Sequence, residues 1–141
     1  MNARLIEQLR RDEGEVLHAY QDTLSFWTIG VGRLIDKRKG GGISADESAY
    51  LLNNDIQNVD QALRDKLAWI AGLDEIRRCA LINMGFQLGV AGLLEFTRTL
   101  AAVRDGRYAE AETLAMQSKW AQQTPARARR VTRQIATGDW Q

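Results

Sequence analysis

Glu13, Asp22 and Thr28 stand close together near the start of the chain, with eight residues between the two carboxylates and five more before the threonine. Two carboxyl groups held in different protonation states are the equipment of glycoside hydrolysis, one protonating the leaving oxygen and the other handling water or the sugar carbon. The local sequence gives each a different setting. Arg4 to Glu13 reads as a short helix, with Asn2 as N-cap, Leu5, Ile6 and Leu9 on one face, and Gly14 to end it. Glu13 then falls in the last turn, where the negative end of the helix dipole disfavours a carboxylate charge, which suits a general acid. Asp22 follows Gln21 in a turn-like Gln-Asp-Thr segment and is expected to be solvated and ionised. From Phe26 to Gly32 the period changes to that of a strand, with Trp27, Ile29 and Val31 on one side and Thr28, Gly30 and Gly32 on the other. Thr28 thereby lies on a face nearly bare of side chains, where a ligand can approach the backbone. The spacing alone is not specific, because a helix-end charge and a turn aspartate produce it equally well.

The blocks around these residues are more telling. RRDEG at 10–14, YQDT at 20–23, WTIGVG at 27–32, RRCALINMGFQLG at 77–89 and QTPARARRV at 123–131 together resemble the T-even phage lysozyme family of endolysins, in the family's order and over nearly the whole chain. The resemblance implies an acid role for Glu13, a water-positioning role for Asp22 and a third catalytic role for Thr28. It further implies substrate contacts at Leu34, Phe86, Gln87 and Thr99, and an orienting role for Arg127 across the cleft from Glu13. The activity it implies is hydrolysis of the β-1,4 bond between N-acetylmuramic acid and N-acetylglucosamine in peptidoglycan, by an inverting route, for host lysis by a phage or prophage. It implies no metal or cofactor, a monomer, no nucleic-acid partner and no membrane insertion. Residence in the host cytoplasm before lysis, export through a holin-type pore and action on the wall afterwards belong to the same expectation. A lytic transglycosylase, which needs the acid/base glutamate but no water-activating aspartate, and a catalytically silent wall-binding module are the alternatives.

Composition sets the frame for these residues. At 141 residues, 45% hydrophobic and 26% charged, the chain is of single-domain size and can bury a core without staples. Its net charge is +1, yet from Lys119 onward five Lys or Arg residues stand against one acidic residue, a basic region that can face an anionic polymer. A helical nucleic-acid-binding domain competes for that patch, but the pI of 7.9 is low for one. A solvated helix face requires no partner at all. The one cysteine, Cys79, excludes an intramolecular disulfide, and with His18 as the one histidine there is neither a metal site of recognisable spacing nor a nucleophile pair. Cys79 reads as a buried inert thiol and His18 as a surface residue. The N-terminal stretch carries no apolar run, so no signal peptide or anchor is expected there.

The elements that must position the candidates can be read from period and punctuation. Between Arg33 and Ser44 the triplet Gly40-Gly41-Gly42 marks a flexible connection, where the resembled lysozymes carry a longer segment. The triplet lacks the Gly-Lys-Ser/Thr of a phosphate loop, and Gly30-x-Gly32 lacks the third glycine of a dinucleotide fingerprint. Ser44 to Glu47 forms a capping-box pattern opening a helix to about Lys66, with Leu52, Ile56, Val59 and Leu63 as its buried stripe. The resemblance sets Asp55 of this helix opposite Arg33 as an ion pair. Asp74 caps a helix from Glu75 to Leu88, apolar on nearly every face, which Gly89 stops; Phe86 near its end reads as core or as cleft border. Helices then run from Glu95 or Phe96 to Arg104, from Tyr108 to about Lys119, and from Pro125 behind a Thr124 cap, the last burying Ala128, Val131 and Ile135 and exposing Arg129, Arg130 and Arg133. The sum is an α+β, predominantly helical fold. It is expected as a single two-lobed lysozyme-like domain over 1–141: a small β-hairpin lobe at about 13–55, a long connecting helix, and a helical lobe at about 67–141 plus the N-terminal helix.

Overall fold

The computed structural model describes residues 3–141, and among these the chain forms seven α-helices and one three-stranded antiparallel sheet. The expected Asn2 cap lies outside the described residues. The fold is α+β and predominantly helical, and the chain divides into two compact units after Tyr50.

The first unit begins with α1 (Ala3–Glu13) and continues through β1 (Val16–Gln21), β2 (Trp27–Gly30) and β3 (Arg33–Leu34), paired in that order. Register puts Tyr20 opposite Thr28 and Thr28 opposite Leu34, so these three share one row across the sheet. The strand expected to reach Gly32 stops at Gly30. Gly30 and Gly32 both take left-handed backbone, φ 67 and 68, and turn the chain into β3 instead of extending it.

The glycine triplet follows a short turn and is held by main-chain hydrogen bonds. Lys37–Lys39 form a single 3-10 turn, N-capped by the Asp36 side chain and closed by Gly40 in the left-handed conformation. Gly41 N–H then bonds to Asp36 C=O at 2.9 Å and Gly42 N–H to Leu34 C=O at 3.1 Å. A Cβ on Gly41 would stand 2.7 Å from the Leu34 carbonyl oxygen, so the close wrap requires glycine there. Among the described residues of this unit no hydrophobic side chain is fully buried. The two buried residues are Thr28 and Asp36, both polar.

The division after Tyr50 falls within α2 (Ala45–Lys66), whose capping box is present: Glu47 N–H bonds to Ser44 Oγ at 3.1 Å and Ser44 N–H to Glu47 Oε2 at 2.7 Å. In the second unit α3 (Glu75–Leu94), α4 (Thr97–Arg104), α5 (Tyr108–Met116), α6 (Lys119–Gln123) and α7 (Pro125–Thr137) enclose a core. Leu63, Leu81, Met84, Leu93 and Ile135 are fully buried in it. Each such side chain contributes about 1.5–3 kcal/mol by leaving water, which makes this unit the apolar anchor of the chain. α7 packs on α3 and α5, and Phe96 meets Trp120 edge-to-face at 6.0 Å. Arg77, near the start of α3, donates to the Ile135 carbonyl at 2.8 Å and places its cation at the C-terminus of α7, where the helix dipole favours it.

Three boundaries differ from expectation. Gly89 (φ 74) does break α3, but one more helical stretch continues to Leu94 before the chain turns. The helix expected from Tyr108 to about Lys119 ends at Met116, and Ser118, whose Oγ donates to the Ala115 carbonyl and accepts from Ala121 N–H, caps a further short helix from Lys119. Thr124 precedes Pro125 as expected, but its hydroxyl donates to Trp120 C=O and makes no cap bond. No single helix among the described residues is long and apolar enough to cross a membrane.

Candidate active site

Each candidate in the first unit owes its position to a backbone device. Gly14 (φ 76) donates its N–H to Arg10 C=O at 3.0 Å and turns the chain out of α1, leaving Glu13 exposed at the helix end. Asp22 sits at the hairpin turn between β1 and β2. Its Oδ1 accepts the backbone N–H groups of Leu24 and Phe26, each at 2.9 Å, an aspartate-closed turn. Main-chain bonds from Asp22 N–H to Phe26 C=O and from Ser25 N–H to Asp22 C=O complete it at 2.9 Å each. Asp22 is therefore not a freely solvated turn residue as expected. It is half-buried and pinned through one oxygen, while Oδ2 takes no hydrogen bond among the described residues. The same turn forces Ser25 to φ 64, a conformation uncommon outside glycine.

Thr28 is 5% exposed, and its Oγ1 donates to Phe26 C=O at 3.1 Å. With the hydroxyl proton committed, the oxygen keeps its capacity to accept. Phe26 thus ties the two candidates together, its N–H holding Asp22 and its C=O holding Thr28. Glu13, Asp22 and Thr28 line a single cavity of about 370 Å³ with Tyr20, Leu34 and Lys39. The row Tyr20–Thr28–Leu34 forms one wall of it, and a Cβ on Gly32 would stand 3.6 Å from Glu13 Oε2.

The candidates of the second unit are distributed differently. Phe86 is 44% exposed and lines a groove of about 280 Å³ with Leu52, Ile56, Asn83 and Arg127, so it is not a core residue. Arg127 spends Nε and Nη2 on the Asn83 side chain at 3.0 and 2.8 Å. Gln87 is engaged at both ends, accepting from Trp120 Nε1 at 2.9 Å and donating to Thr124 Oγ1 at 3.4 Å. Thr99 is buried at the edge of a larger cavity, about 580 Å³, that holds one carboxylate, Glu95, and so lacks the pair that glycoside chemistry requires. Cys79 is half-buried and burial pushes its thiol up, away from the thiolate a nucleophile needs. His18 is exposed on β1. Among the described residues no group of three or more His, Cys, Asp or Glu side chains is placed to hold a metal ion.

Sequence reasoning missed three residues of the first unit. Asp36 is buried and accepts four hydrogen bonds: from Trp27 N–H at 3.1 Å, Arg38 N–H at 2.9 Å, Arg38 Nε at 2.9 Å and Arg38 Nη2 at 2.6 Å. Arg38 Nη2 continues to Ser25 C=O at 2.9 Å, and the Arg38 guanidinium and the Lys39 ammonium both lie over the Phe26 ring, at 5.0 and 4.9 Å. The available signal was Asp36 four residues before Gly40, the spacing of a capped short turn. Arg33 also departs from expectation: it forms a two-pronged ion pair with Glu47, at 2.8 and 3.0 Å, in place of the Asp55 partner. Ser44 N–H first and then the Arg33 guanidinium hold the Glu47 carboxyl below its ordinary range.

Comparison with known proteins bears on this arrangement. Residues 10–134 match the family model described as phage lysozyme. The chain is 32% identical to probable T4-type lysozyme 1 of Dictyostelium discoideum over 98% of its own length and 96% of that protein. It is 33% identical over 98% of its length to the pre-baseplate central spike protein Gp5 of Enterobacteria phage T4, of which it spans 28%. An endolysin of Salmonella phage P22 is 35% identical over 60% of each chain.

Proposed function

Because the chain belongs to the phage lysozyme family and is thereby a lysozyme-type cell-wall hydrolase, we propose that it cleaves the β-1,4 bond between N-acetylmuramic acid and N-acetylglucosamine in peptidoglycan, with Glu13, Asp22 and Thr28 as its catalytic residues. The observation that carries this reading is that all three residues line one cavity of the first unit. Glu13 protonates the glycosidic oxygen as it leaves. Asp22 has given Oδ1 to the turn, so Oδ2 takes one proton of the attacking water, while the Thr28 oxygen, its own proton donated to Phe26, accepts the other. Water fixed between two acceptors attacks the sugar carbon directly, so the product inverts and no covalent intermediate forms.

Leu34 supplies an apolar wall beside the cut bond, and Phe86, Gln87 and Thr99 are further substrate contacts. Arg127, whose guanidinium Asn83 holds through two nitrogens, takes the orienting role. The protein acts as a monomer without metal or cofactor, waits in the host cytoplasm, crosses the membrane through a holin-type pore, and breaks the wall to release phage.

The test is Glu13→Gln. The amide cannot deliver a proton, so clearing of a cell-wall suspension should fall by about 10² or more with the melting temperature unchanged. A folded variant that clears at a comparable rate would remove Glu13 from the acid role.

A further inference from the structure

Hydrolysis in the first unit's cavity asks Asp22 and Thr28 to hold a water between them. That unit has no apolar core to fix them in place, since among its described residues only Thr28 and Asp36 are buried. The segment that carries both residues is also strained at Ser25, φ 64. A non-glycine residue in such a conformation persists only when its surroundings over-determine it.

Asp36 and Arg38 supply those surroundings. The Asp36 carboxylate takes the N–H of Trp27, the residue directly before Thr28. Arg38, held by Asp36 in a fork, takes the carbonyl of Ser25, the strained residue itself, and covers the ring of Phe26, whose N–H and C=O hold Asp22 and Thr28. Three consecutive residues, Ser25, Phe26 and Trp27, are thus gripped from outside the hairpin. Gly40 and Gly41 close the short turn that presents Arg38, with Gly41 wrapped against the Leu34 and Asp36 backbone. Resting on the hydrolytic reading of the cavity, we propose that Asp36 and Arg38 form a clasp that positions Asp22 and Thr28 for attack by water, the glycine-closed turn serving to deliver it. They are positioning residues: neither lines the cavity.

The test compares wild type, Arg38→Ala and Arg38→Lys by kcat and KM on soluble peptidoglycan fragments, and by amide hydrogen exchange. Misplacement of the water should lower kcat on the order of 10- to 100-fold in both variants while KM stays within about two-fold. Lysine fails because it keeps the charge but cannot make the fork and reach Ser25 together. Exchange should quicken at the Leu24 and Phe26 amides, which Asp22 binds, more than at β1 and β2. Wild-type kcat in Arg38→Ala, full rescue by lysine, or equal acceleration across both strands would each overturn the clasp. A wild-type protein inert toward peptidoglycan would instead remove the hydrolytic reading, and the two amides would still decide whether the clasp holds Asp22.

Discussion

At the scale of single residues, Asp36 organises more of the first unit than either candidate carboxylate. Its side chain is 4% exposed and the Arg38 guanidinium beside it holds the carboxyl far below the ordinary range. A folded pKa below the unfolded one means that the pair contributes stability that is fully present above the unfolded value, about 3.9, and is lost as pH falls below it through the folded value. Asp36→Asn should therefore melt below wild type by the same margin from neutral pH down to about pH 5, and the margin should shrink only in stronger acid. Thermal melts across that range decide it; a margin that is absent, or that does not change with acid, would mean the pair adds nothing. Glu13, Asp22 and Thr28 became candidates through the family resemblance of the blocks around them, since their spacing alone was not specific. Asp36 did not, because an aspartate next to lysines and glycines reads as loop until its partners, nine residues back at Trp27 and two ahead at Arg38, are seen together.

At the scale of elements, α2 shows how far local rules reach. Its capping box could be read directly from Ser44 and Glu47, because both partners lie within one turn. The second use of Glu47, as the two-pronged partner of Arg33, is a long-range choice that the residue types did not reveal. The capping box already fixes the Glu47 carboxylate in one orientation, so its pair with Arg33 orders little further side chain. Glu47→Gln should accordingly lower the melting temperature of the protein, having lost both the charged cap and the Arg33 pair, while Asp55→Asn leaves it unchanged. The reverse ranking in thermal melts would restore Asp55 as the partner. The early end of the helix expected from Tyr108 to about Lys119 has the same origin: the two hydrogen bonds of Ser118 mark the stop, and residue type did not.

At the scale of the molecule, the chain divides its labour. The second unit buries the large side chains that stabilise the fold; among its described residues the first buries two, both polar, one proposed for chemistry and the other for its support. The apolar stripes of α3 and α7 announced the core because burial writes a helical period into the sequence. A polar network leaves no such period, which is why the glycine-closed turn looked like slack chain. In the proposed reaction, water held by Asp22 and Thr28 attacks the sugar. Digestion of purified peptidoglycan in heavy-oxygen water, with mass analysis of the fragments, tests it most directly. Hydrolysis gives reducing muramic acid ends that carry the heavy oxygen; anhydro-muramic ends without it would rule out attack by water and assign the protein to transglycosylation.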